Sequence, residues 1–211
     1  GVADRVFTAF PGALKGALWV GNPLRAPFLQ QPEPAARFAG RSGPLRLLVV
    51  GGSLGAKALN DIVPQALALI PLEQRPRVTH QSGAKQIDAL RANYAAEGVE
   101  AELTPFIEDT ARAFADAGAS TVTEIAAVGA AALFVPFPAA VDDHQTANAR
   151  FLVDQGAGQL LLQKDMTPER LAELLQKTER PALVARGEKA KTLAKTGATA
   201  QVVAACEELS R

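Results

Sequence analysis

LRLLVVGGSLGAKALNDIVPQALALI, residues 45–70, decides the fold. Its first six residues are a short, largely apolar and β-branched run that ends in Gly51 and Gly52, and apolar positions then recur at helical spacing. That order predicts a strand, a glycine turn and a helix. Outward from it the alternation repeats. RVTHQS (77–82) reads as a second strand, AKQIDALRANYAAEG (84–98) as a helix closed by Gly98, and VEAELTPF (99–106) as a third strand. AALFVPF (131–137) reads as a fourth strand, TANARFLVDQG (146–156) as a helix ending at Gly156, and GQLLLQ (158–163) as a fifth strand. Strands alternating with helices, several of them apolar on both faces, predict an α/β domain: a Rossmann-like parallel sheet with flanking helices. From Thr167 onward the pattern is wholly helical, a helical C-terminal tail.

One place breaks the alternation. EDTARAFADA (108–117) and ASTVTEIAAVG (119–129) both read as helices with only Gly118 between them, where a doubly wound sheet needs a strand. Ahead of the sheet, residues 21–44 hold five prolines and little periodicity, which suits an irregular lead-in or linker. The expected organisation is therefore a lead-in over 1–44 and one domain over 45–211.

Composition narrows the function classes. With 48% hydrophobic and 21% charged residues, the chain can bury a globular core. Lys plus Arg and Asp plus Glu each total 22, so no excess positive charge draws it to nucleic acid or an anionic bilayer. The single cysteine, Cys206, excludes an internal disulfide framework and a Cys-rich zinc site and favours a reducing compartment. No secretory leader and no apolar run of membrane-spanning length is present, so the chain reads as soluble and cytosolic.

Two strand-to-helix junctions suit phosphate. GGSLGA (51–56) places glycine amides and a helix N-terminus at the carboxyl edge of the sheet, where unpaired N–H groups and the helix dipole favour an anion, and Ser53 adds a hydroxyl. A tight turn that needs glycine only for its backbone angles is the plainer alternative. The spacing is neither the dinucleotide fingerprint nor a Walker loop, which disfavours a nicotinamide dehydrogenase or a P-loop enzyme. In GASTVTE (118–124), Thr121 and Glu124 have capping-box spacing. Alternatively, Ser120 and Thr121 hold a diphosphate while Glu124 accepts from the vicinal hydroxyls of a ribose.

A third junction is VDDHQ (141–145). Its acids and histidine are sequential rather than convergent, which argues against zinc, and no nucleophile elbow occurs. Asp142 or Asp143 would cap a helix. His144 and Gln145 would then sit in its first turn, able to exchange hydrogen bonds with sugar hydroxyls.

Taken together, GNPLR (21–25), GGSLGA (51–56), HQSG (80–83), PFIED (105–109), GASTVTEIAAVG (118–129) and LFVPFPAAVDDHQTANARFLVDQGAG (133–158) resemble the C-terminal half of the MurG family. That family transfers N-acetylglucosamine from UDP-N-acetylglucosamine to lipid I, making lipid II for peptidoglycan. The resemblance implies a GT-B enzyme whose C-terminal Rossmann-like domain binds the donor. It implies Gly52 and Ser53 at the phosphates, Ile107 near uracil, and Ala119, Ser120 and Thr121 at the diphosphate. It further implies Glu124 at the ribose, His144 and Gln145 at the sugar, and Arg25 near the nucleotide. No cofactor and no metal are implied, and no catalytic residue is assigned. The lipid-linked acceptor would be met only through an N-terminal half that has no counterpart here, at the cytoplasmic face of the membrane, with the protein peripheral.

Departures accompany the match. The family carries a strand before the GAST-like turn, where about seven residues are missing here; Ala130-Ala131 replaces a Leu-Pro or Val-Pro pair; and Ala139 stands where histidine is common. A non-catalytic UDP-sugar-binding module, or a half-enzyme that needs a separate acceptor-binding chain, is the alternative reading. Whether the chain is an enzyme by itself is left open.

Overall fold

The computed structural model describes residues 3–51, 57–117, 122–137 and 144–210. In chain order the elements are β1 (Phe7–Thr8), β2 (Leu18–Trp19), α1 (Ala26–Leu29), α2 (Pro34–Phe38), β3 (Arg46–Val50), α3 (Lys57–Ala68), β4 (Arg77–Gln81), α4 (Ile87–Ala96) and β5 (Glu102–Thr104). They continue with α5 (Thr110–Ala117), α6 (Val122–Val128), β6 (Leu133–Phe134), α7 (His144–Val153), β7 (Gln159–Leu160), α8 (Pro168–Gln176), α9 (Arg180–Thr192) and α10 (Ala198–Leu209).

Every strand pair is parallel, as the alternation predicts. β3 pairs β4 from Arg46↔Arg77 to Val50↔Gln81, β4 pairs β5 from Thr79↔Glu102 to Gln81↔Thr104, and β6 pairs β7 at Leu133↔Gln159 and Phe134↔Leu160. β3 shows why its sequence is apolar throughout. Successive side chains point to opposite faces, and Leu48 and Val49 enter different cores. Leu48 shares a core with Phe28, Phe114, Ile125 and Leu152, whereas Val49 shares one with Val63, Leu67, Leu90 and Tyr94. The parallel architecture with flanking helices and a helical tail is therefore as expected.

The details differ in four places. Strands three to five are shorter than their apolar runs, because an apolar run reports burial while a strand needs a ladder partner. The third ends at Thr104, whose hydroxyl donates to the Phe106 carbonyl at 2.6 Å and turns the chain. The lead-in is not wholly irregular: Pro27 and Pro34 stand in the first turns of α1 and α2, where a missing N–H costs nothing. Phe28 is buried against Phe114, ring centroids 5.9 Å apart. The tail is not helical throughout: its three helices are separated at 177–179 and 193–197. Finally, β1 and β2 form a two-stranded parallel pair that two-residue strands gave no periodicity to reveal.

Among the described residues the main sheet is in two pieces, β3-β4-β5 and β6-β7, with α5 and α6 consecutive between them in the chain. The junction at Gly118, where the sequence shows no strand, lies outside the described residues.

Two close fits hold the layers. Pro64 lies inside α3 and cannot donate to the Asn60 carbonyl one turn back; Asn93 Nδ2 on α4 donates to that oxygen instead, at 3.0 Å. Gly129 ends α6 with φ +69°, its amide and that of Ala130 returning to Ala126 and Ile125. A Cβ there would stand 2.7 Å from Pro34 and 2.9 Å from the Gly187 carbonyl, so glycine is what lets α2, α6 and α9 meet.

Candidate functional site

Of the residues singled out by sequence, Arg25 stands just before α1, Ile107 follows β5, and Glu124 and Gln145 stand in the first turns of α6 and α7; the carboxyl ends of the strands are the edge where open α/β sheets take ligands. Arg25 and Glu124 are brought together. Arg25, just before α1, donates from Nη2 to Thr110 Oγ1 at 3.0 Å and stands 3.9 Å from Glu124 Oε1. Its guanidinium also lies over the Phe28 ring, 5.0 Å from the centroid. Asn22 Nδ2 donates to Thr123 Oγ1 at 3.3 Å, so the GNPLR segment is tied to both the start of α5 and the start of α6. Arg25 is largely exposed and Glu124 mostly covered, which leaves the guanidinium available at the rim of the site.

Ile107 follows β5 and packs against the core that contains Phe28 and Phe114. Gln81 Nε2, at the end of β4, donates to the Pro105 carbonyl at 3.1 Å and fixes that loop. Phe106 beside it is 69% exposed, an apolar ring standing at the mouth of the sheet. Gln145, in the first turn of α7, accepts the Phe137 backbone N–H on Oε1 at 3.0 Å. Held in this way, its amide presents N–H donors rather than a carbonyl to anything bound above β6. His144 opens α7 as expected, but its side chain lies outside the described residues. Gly52, Ser53, Ala119, Ser120 and Thr121 lie outside them too, as do Asp142, Asp143 and the Thr121 end of the capping box.

Under this edge is a buried polar network. His80 on β4 is fully buried, Nε2 3.1 Å from Asn60 Oδ1 and Nδ1 3.0 Å from the Tyr94 hydroxyl. Asn60 Nδ2 donates to Gln86 Oε1 at 2.8 Å, so Asn60 Oδ1 accepts, the histidine proton sits on Nε2, and Tyr94 donates to Nδ1. Burial pulls the His80 pKa down to about 4 and pushes that of Tyr94 up. His80 is thus a neutral structural group that ties β4 to α4 and to the first turn of α3, which follows the glycine loop. Among the described residues no group of three or more His, Cys, Asp or Glu side chains gathers as a metal site, and no helix is long and apolar enough to cross a membrane.

Thr110 was not legible as a site residue. The available signal was Asp109, which caps α5 by accepting the Arg112 N–H at 3.0 Å and so places the next residue, Thr110, at the helix mouth.

What the arrangement offers is a set of first-turn amides, an exposed guanidinium, a carboxylate and an oriented amide around one sheet edge. It suits an elongated anionic ligand with hydroxyl groups. The profile of the glycosyltransferase family 28 C-terminal domain matches residues 46–204. The UDP-N-acetylglucosamine--N-acetylmuramyl-(pentapeptide) pyrophosphoryl-undecaprenol N-acetylglucosamine transferase of Polaromonas sp. (strain JS666) is 73% identical over all of this chain and 56% of its own length. The protein of that name from Cupriavidus necator is 57% identical over all of this chain and 61% of its own length. The crystal structure of Acinetobacter baumannii MurG superposes with a TM-score of 0.86 at 40% identity, over 98% of this chain and 61% of that one. The chain thus spans a little over half the length of these relatives. The glycosyltransferase VinC, at 20% identity and TM-score 0.53, shares the fold. With its profile match over residues 46–204 and relatives that align along its whole length, the chain belongs to the glycosyltransferase family 28 C-terminal domain family.

Proposed function

We propose that this chain is the donor-binding half of an inverting UDP-N-acetylglucosamine transferase, one that converts the lipid-linked N-acetylmuramyl-pentapeptide into the lipid-linked disaccharide of peptidoglycan. The observation that carries the reading is the Arg25–Thr110–Glu124 arrangement at the carboxyl edge of the sheet, in a chain so close to transferases of that name. Residues 45–211 are the donor unit and residues 1–44 its lead-in.

In the reaction, the acceptor hydroxyl oxygen bonds to the anomeric carbon as the bond from that carbon to the UDP oxygen breaks, with inversion. The proton leaves to a base that this half does not supply. The departing diphosphate gains charge, which backbone amides of the GGSLGA and GAST segments would stabilise. Glu124 accepts from the ribose hydroxyls, Arg25 lies beside the nucleotide, Ile107 and its loop meet the base, and Gln145 donates to the sugar. His144 joins Gln145 there, and Gly52, Ser53, Ala119, Ser120 and Thr121 serve the phosphates. UDP-N-acetylglucosamine is a cytoplasmic donor and the acceptor is membrane-bound, so the working place is the cytoplasmic membrane face, with the chain peripheral.

The test is a transfer assay with UDP-N-acetylglucosamine and a soluble lipid I analogue, run with this chain alone and with the acceptor half of a relative added as a separate chain. Disaccharide only in the presence of both halves is the expected result. Turnover by this chain alone contradicts the half-enzyme reading, and donor binding with no product in either arm favours a non-catalytic UDP-sugar module.

A further inference from the structure

Val50, Gln81 and Thr104 stand in register across the carboxyl ends of β3, β4 and β5. Residues in one such row share a face of the sheet, and on that face Val50 packs against an apolar core. Gln81 is thus a polar residue in the middle of a covered row, only 5% exposed. Burying an amide is costly unless it is bonded, so its contacts show its use. Nε2 donates to the Pro105 carbonyl at 3.1 Å, while the backbone carbonyl accepts the Gly51 N–H at 3.3 Å. Gln81 therefore touches both the residue that opens the glycine loop and the first residue after β5.

Thr104 holds the next link. Its Oγ1 donates to the Phe106 carbonyl at 2.6 Å and accepts the Phe106 N–H at 3.3 Å. Two consecutive carbonyls, those of Pro105 and Phe106, are held by side chains from two neighbouring strands. Ile107 then anchors in the core, and Asp109 caps α5 two residues on. A turn that only joined β5 to α5 would need no buried amide from another strand. A loop fixed peptide by peptide suits the reading of a ligand edge, because a reading group is useful only while its neighbours hold it in place.

We propose that Gln81 and Thr104 are positioning residues that set the preference of the donor edge for uracil over cytosine, acting through the Pro105 and Phe106 carbonyls. The inference rests on the proposed function, in which Ile107 and its loop meet the base. Uracil and cytosine have the same shape and differ in which edge atoms donate and which accept, O4 of one being replaced by an amino group in the other. Only hydrogen bonds from a fixed loop tell them apart, since a loop free to shift can serve either edge.

The experiment is a calorimetric competition of UDP against CDP on the whole chain, on Gln81→Met and on Thr104→Val. The unaltered chain is expected to prefer UDP by at least about tenfold, and each variant to lose about tenfold in UDP affinity with CDP binding unchanged. Should Gln81→Met fail to fold, Thr104→Val, at a less buried position, decides alone. The inference is overturned if the unaltered chain binds UDP no better than CDP, if the variants weaken both ligands by one factor, as a merely structural role would, or if the ratio survives in the folded variants. No binding of UDP to the folded, unaltered chain overturns the proposed function itself, and this inference with it.

Discussion

Arg25 and Glu124 face each other across the start of two helices, 3.9 Å apart, with Thr110 accepting from the same guanidinium nitrogen at 3.0 Å. A pair with one largely exposed member contributes little to stability, about 1 kcal/mol at most. Under the proposed function its use is positional: it holds a cation beside the carboxylate expected to meet the ribose.

Glu124→Gln is expected to keep the fold and lose affinity for UDP by about 1.5–3 kcal/mol, because the amide no longer offers a charged acceptor to the ribose diol. 2′,3′-Dideoxy-UDP should bind both proteins alike. Calorimetry with the two ligands checks this, and equal losses for both would assign Glu124 a structural role.

Gln145→Glu keeps the acceptor for the Phe137 N–H and replaces the amide donors with a carboxylate. The expected outcome is a loss of about tenfold, roughly 1.4 kcal/mol, in UDP-N-acetylglucosamine affinity while UDP itself binds as before. Competition between the two ligands measures it; an unchanged ratio removes Gln145 from the sugar.

Acid should destabilise the protein through His80. Its folded pKa, about 4, lies below the ordinary value of 6.5, so the unfolded chain binds the proton more tightly. The contribution is fully present above pH 6.5 and is lost as pH falls toward 4, on the order of 3 kcal/mol in all. Urea unfolding at pH 7 and at pH 4.5 reads the difference, and His80→Gln should flatten it.

Asn93→Ala should cost about 1–3 kcal/mol by leaving the Asn60 carbonyl without its side-chain donor. In that background Pro64→Ala supplies the missing helix N–H and should recover part of the loss. A double-mutant cycle of unfolding free energies tests the coupling, and strict additivity would deny it.

How far the sequence could be read follows from the same residues. β3 and β4 were legible because an apolar strand in a parallel sheet is covered on both faces, as Leu48 and Val49 are. Gly98 and Gly156 marked helix ends correctly because both hold positive φ after the last turn. β6 and β7 fall within the fourth and fifth apolar runs, whereas the β1–β2 pair carries too few residues for any period to appear. Glu124 was reached through the spacing of GASTVTE and Arg25 only through the resemblance; that they meet was not legible, since ninety-nine residues separate them. Thr110 escaped because nothing in the sequence says that a helix-mouth hydroxyl will accept from an arginine on another segment.

The most direct measurement is a calorimetric titration of UDP-N-acetylglucosamine into this chain, in EDTA, followed by displacement with UDP. The account predicts saturable binding at one site, competitive between the two ligands and unchanged when magnesium replaces the chelator. No binding of either ligand to the folded chain, or binding that appears only with magnesium, would contradict it.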